Sequence, residues 1–385
     1  MNILIIPSWY SSKNNSIKGS FFREQAIALK KAGHHVIILN ATYKDRTGYF
    51  DSDNYKLRKY YDEGVLVYSY VTPAFGITRT KRIMFNHFLR RLERLFRKIQ
   101  ADGEQVDVIH AHSFIPAGYG ASVIGKKHNI PVVITEHASS IINKSLSAIE
   151  VSYFKKSIEL SNAIICVGEG LKQSIIELTG TKKYIEVIPN IVSPLFQFKH
   201  RNRINNEFTF CSVGNLNIGK RFGPTISAFT SAFKGNSQIK LKIIGEGEQY
   251  TKLKNQIDSL GMRDQISLLG VLPREKVAYH MQNSDAFVLA SAFETFGVVY
   301  IEALACGKPV IGTRNGGADS IINQENGILI DVDNENQLTE AMREMVGNYD
   351  KYKKEEISAI TIKKYGEKSI TNKLNVIYEG CIQRC

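Results

Sequence analysis

The 385-residue chain is expected to fold as an α/β protein built on doubly wound parallel sheets. Three observations predict this. Short apolar runs alternate with stretches of helical periodicity from Asn2–Ile6 to Gly327–Ile330. The chain opens on a right-handed βαβ unit, in which strand Asn2–Ile6 leads to a helix over Phe21–Ala32, closed by Gly33 before strand Val36–Leu39. Between Ser291 and Gly317 the sequence SAFETFGVVYIEALACGKPVIGTRNGG reads as a second such unit: an apolar strand ends at Ala290, a turn and a helical stretch holding Glu302 follow, and a new strand runs over Val310–Gly312. A chain of this length suggests two or three domains and is long enough to bury proper cores.

In the first half, the loop after the opening strand ends in Gly19-Ser20-Phe21 at a helix start, a place suited to a phosphate or a developing negative charge. Strands are expected over Val65–Tyr70, Val106–His110, Val132–Thr135, Ala163–Val167 and Ile185–Ile188, with a helix over Ala117–Lys127. Glu136-His137-Ala138 stands at a strand's carboxyl end, where a histidine faces a site and not the core. From Pro189-Asn190 a connection runs to about Asn206.

The second half starts with strand Phe208–Val213, followed by Gly214-Asn215-Leu216-Asn217-Ile218-Gly219-Lys220-Arg221. Strand Ile239–Ile244 leads into Gly245-Glu246-Gly247, which is no dinucleotide fingerprint because Tyr250 occupies the third glycine position. After the short strand Ile266–Leu268 comes Gly270-Val271-Leu272-Pro273. In the Ser291–Gly317 unit the turn points free backbone N–H groups and a positive helix end at the carboxyl edge of the sheet, so a phosphate is the natural guest. A carboxylate beside it, Glu294, suits the hydroxyls of whatever the phosphate carries, and Glu302 sits deeper. The pair Asp331-Val-Asp333 lies just ahead of a helix and is assigned to capping or solvent rather than to metal. No metal or cofactor is expected.

The segment E-T-F-G-x-x-x-x-E-A-x-A-x-G-x-P-V, from Glu294 through Val310, resembles the signature of the family 4 retaining glycosyltransferases, enzymes with the two-domain GT-B fold. The opening P-S-W-Y with G-x-F-x-x-x-Q-A and the stretch H-A-H-S-F-I-P-A-G, with His110 and His112, are similar to the same family. The resemblance implies two Rossmann-like domains facing a cleft, over 1–192 for the acceptor and 193–356 for a nucleotide-sugar donor, with a last helix, 357–385, returning to the first. It implies that Glu294 holds hydroxyls of the transferred sugar and Glu302 the ribose. Lys220 and the backbone N–H groups of Thr295, Phe296 and Gly297 would meet the diphosphate, Gly245 would lie close to the nucleotide, and the backbone of Leu272 would meet the base. Gly19 and His137 complete the site, His137 near the donor sugar. In two places this chain departs from the family. Asn215 stands where an arginine is usual, leaving Arg221 to restore the charge, and Asn190-Ile-Val-Ser193 replaces the usual Asn-Gly-Val-Asp turn. If both glutamates shared one helix, about 1.5 Å per residue would set them about 12 Å apart. Carboxyl pairs that flank one glycosidic bond are closer, so these two have different tasks.

The implied activity is transfer of a hexose or N-acetylhexosamine to a glycan or lipid-linked acceptor in cell-surface polysaccharide synthesis. Three rivals stay open: a sugar-nucleotide epimerase, a transferase with a small soluble acceptor, and a non-catalytic binding protein that Asn215 would favour. The formal charge of +13 has a local source. Between Arg79 and Ile99 eight Lys or Arg face one Glu, a net of +7. Phe85, Phe88, Leu92, Leu95, Phe96 and Ile99 share one helical face, with Arg90, Arg91, Arg94, Arg97 and Lys98 largely opposite. Such a helix either lies on an anionic membrane or packs on the sheet and shows its basic side to water. Nucleic acid is not an expected partner, since no recognised motif accompanies the charge. Met1-Asn-Ile-Leu-Ile-Ile has no basic lead before Pro7, so the expected location is the cytoplasm or the inner face of the cell membrane. Cys166, Cys211 and Cys306 read as small core residues, and Cys381 with Cys385 as a tail pair.

Overall fold

The computed structural model describes residues 1–10, 19–44, 56–73, 81–200 and 207–384, so Arg79, Cys385 and the end of the connection at Asn206 lie outside it. The chain divides into two compact units, Met1–Asn190 with Glu367–Cys385, and Ile191–Gly366.

The first unit contains β1 (Asn2–Pro7), α1 (Ser20–Lys31), β2 (His35–Asn40), β3 (Tyr43–Lys44), β4 (Arg58–Asp62), β5 (Val65–Ser69), β6 (Thr72–Pro73), α2 (Lys81–Ala101), β7 (Val108–His112), α3 (Tyr119–His128), β8 (Val132–Glu136), α4 (Ala148–Leu160), β9 (Ala163–Cys166), α5 (Glu169–Thr179) and β10 (Ile185–Val187). Eight strands form one sheet in the order β10-β9-β8-β7-β1-β2-β5-β4. All neighbours are parallel except β4, which pairs antiparallel with β5 at the edge. The parallel strands are largely buried because helices cover both faces, whereas β4, RKYYD, is largely exposed and polar, as suits an edge strand. Its lack of an apolar pattern is why the sequence predicts no strand there. Strand β7 begins two residues later than expected. The Asp107 carboxylate accepts from the Asn2 backbone N–H at 2.7 Å, which ties that residue to the start of β1.

In α2 the expected apolar face is buried, with Phe88, Leu92, Leu95, Phe96 and Ile99 each at most 1% exposed. Arg91 corrects the expected basic face. It is 7% exposed, and its guanidinium donates to Thr72 Oγ1. At i and i+3 from Phe88, position 91 falls at the border of the apolar stripe and is drawn inward by that acceptor. Lys81 pairs with Glu150 and Lys98 with Asp102. Arg82, Arg90 and Arg97 stay exposed.

The second unit holds β11 (Phe208–Val213), α6 (Phe222–Phe233), β12 (Ile239–Ile244), α7 (Tyr250–Leu260), β13 (Ile266–Leu268), α8 (Arg274–Gln282), β14 (Ala286–Leu289), α9 (Val298–Ala305), β15 (Val310–Thr313), β16 (Gly327–Ile330), α10 (Glu335–Gly347) and α11 (Lys354–Tyr365). Its six strands are all parallel, in the order β13-β12-β11-β14-β15-β16. The last helix, α12 (Glu367–Ile382), packs on the first unit, where Tyr378 Oη meets His110 Nδ1 at 2.6 Å and Asn375 meets His34 at 2.9 Å.

The returning segment therefore starts at Glu367 and not at 357, and the first division falls at 190, not 192. α11 stays with the second unit because Ser358 Oγ donates to Ala305 O at 2.6 Å and the Tyr365 carbonyl accepts from Val192 N. Cys166, Cys211 and Cys306 are buried as expected, each at most 1% exposed. Cys381 is no loose tail, being wholly buried on α12. Among the described residues no helix is long and apolar enough to cross a membrane.

Candidate active site

In the second unit, β11 lies beside β14, and the connections leaving these two strands run outward in opposite directions. The crevice beyond their carboxyl ends is the switch point where open α/β sheets take ligands. Both Lys220 and Glu294 come from the loops that follow these strands. Lys220 Nζ donates to Glu294 Oε1 at 2.5 Å, and Ser291 Oγ reaches the same oxygen at 2.9 Å. The two charged side chains are 23% and 11% exposed, so they sit in a recess open to a ligand. The turn after β14 is tied to the turn after β15. Asn315 Nδ2 donates to Ser291 O at 3.2 Å, and Glu294 N donates to Asn315 O at 3.4 Å.

Thr295, Phe296 and Gly297 run from Glu294 into α9. Their backbone N–H groups make no hydrogen bond among the described residues, and the helix end adds its partial positive charge. Gly297 caps α9 at φ +92, where a Cβ would stand 2.5 Å from the Tyr300 ring, so only glycine fits this turn. The ring is fixed by its hydroxyl, which donates to Leu289 O at 2.8 Å. Because Glu294 precedes the helix, the premise of one helix carrying both glutamates does not hold. The two acids have different partners, Lys220 and Ser291 for Glu294 and Arg274 for Glu302. Glu302, on α9, is 1% exposed and accepts from Arg274 Nη1 at 2.6 Å.

Arg274 is a residue that sequence reasoning missed. It opens α8 directly after Gly270-Val-Leu272-Pro273, and its guanidinium also lies 4.8 Å over the Phe196 ring. Its position after a proline that starts a helix was legible, its partner was not. Leu272 is half-buried in the same loop. On the neighbouring strand, Gly245 sits at φ +145, and a Cβ there would come within 1.9 Å of Gly214 O, so the loops after β11 and β12 touch backbone to backbone. Arg221, at φ +56, holds Asp333 through two bonds of 2.6 and 2.9 Å. In this structure it is turned to Asp333, and Asn215 remains exposed. Asp333 thus has an ion-pair role, and the cap of α10 is Asn334, which accepts from Gln337 N. Among the described residues no group of three or more His, Cys, Asp or Glu gathers as metal ligands would.

In the first unit the switch point lies at β1, which has β7 on one side and β2 on the other. Gly19 caps α1 at φ +80, and its carbonyl accepts from Phe22 and Arg23. His137 follows β8 and is 7% exposed. Its ring is packed by Phe21 and Phe22, with centroids 4.9 and 5.0 Å away, and its Nε2 meets His112 Nδ1 at 3.1 Å. Burial pushes His110 and His137 down to about 3, and His112 is held well below the usual histidine range by burial and by its two histidine neighbours. All three are neutral imidazoles. The loop carrying His137 is held by Glu136, whose Oε1 accepts from the backbone of His137 and Ala138 at 2.7 and 2.6 Å, and whose Oε2 accepts from Phe114 N at 2.7 Å.

Two family models cover these two units in turn. Residues 19–194 match the model described as Glycosyltransferase Family 4, and residues 196–361 the one described as Glycosyl transferases group 1. The chain belongs to the family 4 glycosyltransferases. Its fold is GT-B. Among similar proteins, N-acetyl-alpha-D-glucosaminyl L-malate synthase of Bacillus anthracis is 27% identical over 60% of this chain and 63% of its own length. Alpha-monoglucosyldiacylglycerol synthase of Streptococcus pneumoniae is 24% identical over 77% of this chain and 68% of its own. This chain thus matches about two thirds of the length of either relative. Among solved structures, Anabaena HepE in complex with UDP superposes with a TM-score of 0.75 at 17% identity, covering 99% of this chain and 100% of that one.

Proposed function

We propose that this family member is a retaining glycosyltransferase that moves a hexose or N-acetylhexosamine from a nucleotide diphosphate sugar to a glycan or lipid-linked acceptor. The observation that carries the reading is the Lys220–Glu294 pair at the switch point of the second unit. Lys220 and the open N–H groups of Thr295, Phe296 and Gly297 form a cationic cradle for the diphosphate, whose charge grows as the sugar leaves. Glu294 accepts hydroxyls of the sugar, and Glu302, steadied by Arg274, those of the ribose. The bond from the anomeric carbon to the phosphate oxygen breaks while the acceptor oxygen adds on the same face, and the acceptor proton passes to the departing phosphate. Positive charge for this step comes from the protein itself, which is the basis for proposing a metal-independent enzyme. HepE, solved with UDP, supports a nucleotide donor on this fold.

The test is a panel of nucleotide sugars. The true donor should raise the melting temperature and give a product of unchanged anomeric configuration by NMR. An inverted product would overturn the retaining mechanism.

The name of the Streptococcus pneumoniae relative supports an acceptor at a lipid surface, and Arg82, Arg90 and Arg97 offer an exposed basic row on α2. At about 1 kcal/mol per basic residue near an anionic surface, the triple Gln variant should bind phosphatidylglycerol vesicles roughly 100-fold more weakly than wild type. Sedimentation at two salt concentrations checks this, and equal binding by the variant would remove α2 from the account.

A further inference from the structure

Arg221 and Asp333 of the second unit take a backbone conformation that costs any residue with a Cβ and that glycine would adopt freely, at φ +56 and φ +59. The first closes the turn after β11, and the second lies in the loop between β16 and α10. Their side chains are each other's partners. Arg221 Nε and Nη2 donate to Asp333 Oδ1 and Oδ2 at 2.6 and 2.9 Å, a paired geometry that fixes orientation as well as charge. Asp331, the other acid of that loop, is engaged by Gln337 at 3.0 Å and Arg314 at 3.7 Å. Strain at both ends of one contact is retained where the contact holds something in place.

What it holds is the turn Ile218–Lys220. No residue of this turn is buried, and Ile218 is 67% exposed, so apolar packing does not anchor it. Recesses of 180 and 80 Å³ both have Arg221 and Asp333 in their linings. Hydrogen bonds tie the turn instead. Gly219 O accepts from Ala292 N at 2.8 Å, which joins it to the loop carrying Glu294. Ile218 O accepts from Arg221 Nη1 at 3.1 Å, which joins it to the guanidinium and so to Asp333. Lys220 is the next residue of this turn, and its ammonium meets Glu294. We infer that Asp333 is a positioning residue of the donor site: through Arg221 it sets the turn from which Lys220 reaches the diphosphate, without touching the donor itself. The inference rests on the transferase reading above.

Asp333→Asn keeps the shape and tolerates the same backbone conformation, but gives up the charged partner. Removing a negative charge near the site would by itself favour a diphosphate, so lost positioning and altered charge act with opposite signs. With the donor found in the panel above, kcat of Asp333→Asn should fall roughly tenfold. KM for the donor should change by no more than about twofold, because Lys220 acts on charge that grows in the transition state. Arg221→Gly relieves the strained turn and removes the same tie, so kcat should fall by a similar factor while the melting temperature is no lower than that of wild type. In a Lys220→Ala background, Asp333→Asn should cost no more than about twofold, since its effect passes through the lysine. Hydrogen exchange at the Asn217–Arg221 amides needs no ligand, and Asp333→Asn should speed it by about tenfold. Unaltered exchange at this turn, a full loss in the Lys220→Ala background, or a kcat of Asp333→Asn at or above wild type would overturn the inference; a higher kcat would make Arg221 itself a phosphate ligand that Asp333 restrains. A wild type that transfers from no nucleotide sugar would strike the transferase reading instead, and the exchange experiment would still decide whether Asp333 holds the turn.

Discussion

Glu294→Ala and Lys220→Ala should each lower kcat by roughly 10²–10³-fold while leaving the protein folded, the range seen when one preorganised charge partner of a transition state is removed. The two side chains share one short contact, Lys220 Nζ to Glu294 Oε1 at 2.5 Å. Their effects should therefore not add, and the double variant should lose little more than the worse single one. Stability is a separate readout. A partly exposed ion pair contributes about 1 kcal/mol or less, which in a unit of this size moves the melting temperature by about 2–4 °C. Glu302→Ala is a different case, because it removes the buried carboxylate that accepts from Arg274 and should weaken nucleotide binding and folding together. The comparison needs kcat, KM for the donor and the melting temperature of all four variants. If Glu294→Ala and Lys220→Ala retained near-wild-type kcat, the pair would be structural and the site would lie elsewhere.

Much of the fold was legible in the sequence because parallel strands covered on both faces read as mainly apolar runs, Ile239–Ile244 still legible with Lys240 and Lys242 alternating through it. Phe208–Val213, Ile239–Ile244 and Gly327–Ile330 begin and end where expected. Elements whose pattern is set by an edge or a partner were not legible. β4 is polar because it closes the sheet, and α4 carries its start signal in a Ser147–Glu150 capping box that the reading did not use. The site shows the same division. Lys220, Glu294 and Gly297 announce themselves by local spacing, whereas Arg274 acts through Glu302, twenty-eight positions along the chain. Arg91 was placed on the basic face by its position along a helix, and His137 was placed toward a site by its position at a strand end. The contacts of both come only from the fold: Thr72 draws Arg91 inward, and His112 with two phenylalanines packs the ring of His137.

Mild acid should unfold the first unit before the second. His110, His112 and His137 are buried and neutral, with His110 and His137 pushed down to about 3 by burial and His112 also well below the usual value. The unfolded chain takes up these protons near the ordinary histidine value of about 6.5. Between these limits the unfolded state binds more protons than the folded one, so stability is complete above about pH 6.5 and falls as pH is lowered. Each histidine costs up to about 1.4 kcal/mol per pH unit, or about 2 kcal/mol by pH 5, and three would approach the total stability of a typical domain, about 5–15 kcal/mol. The rings touch one another, so this sum is an upper bound. Glu136 acts with the opposite sign. Burial raises its carboxyl, so protonation in acid relieves a cost, but one group offsets only part of three. In the second unit His200 is exposed and His280 half-buried, which leaves that unit with a weaker dependence. Urea titrations of the whole protein should therefore be closer to one transition at pH 7.5 and split into two at pH 5. His112→Asn should flatten the acid slope of the first transition by about a third, one of three protons. A first transition independent of pH between 7.5 and 5, or an equal slope in the variant, would show that these imidazoles are not the neutral buried cluster described.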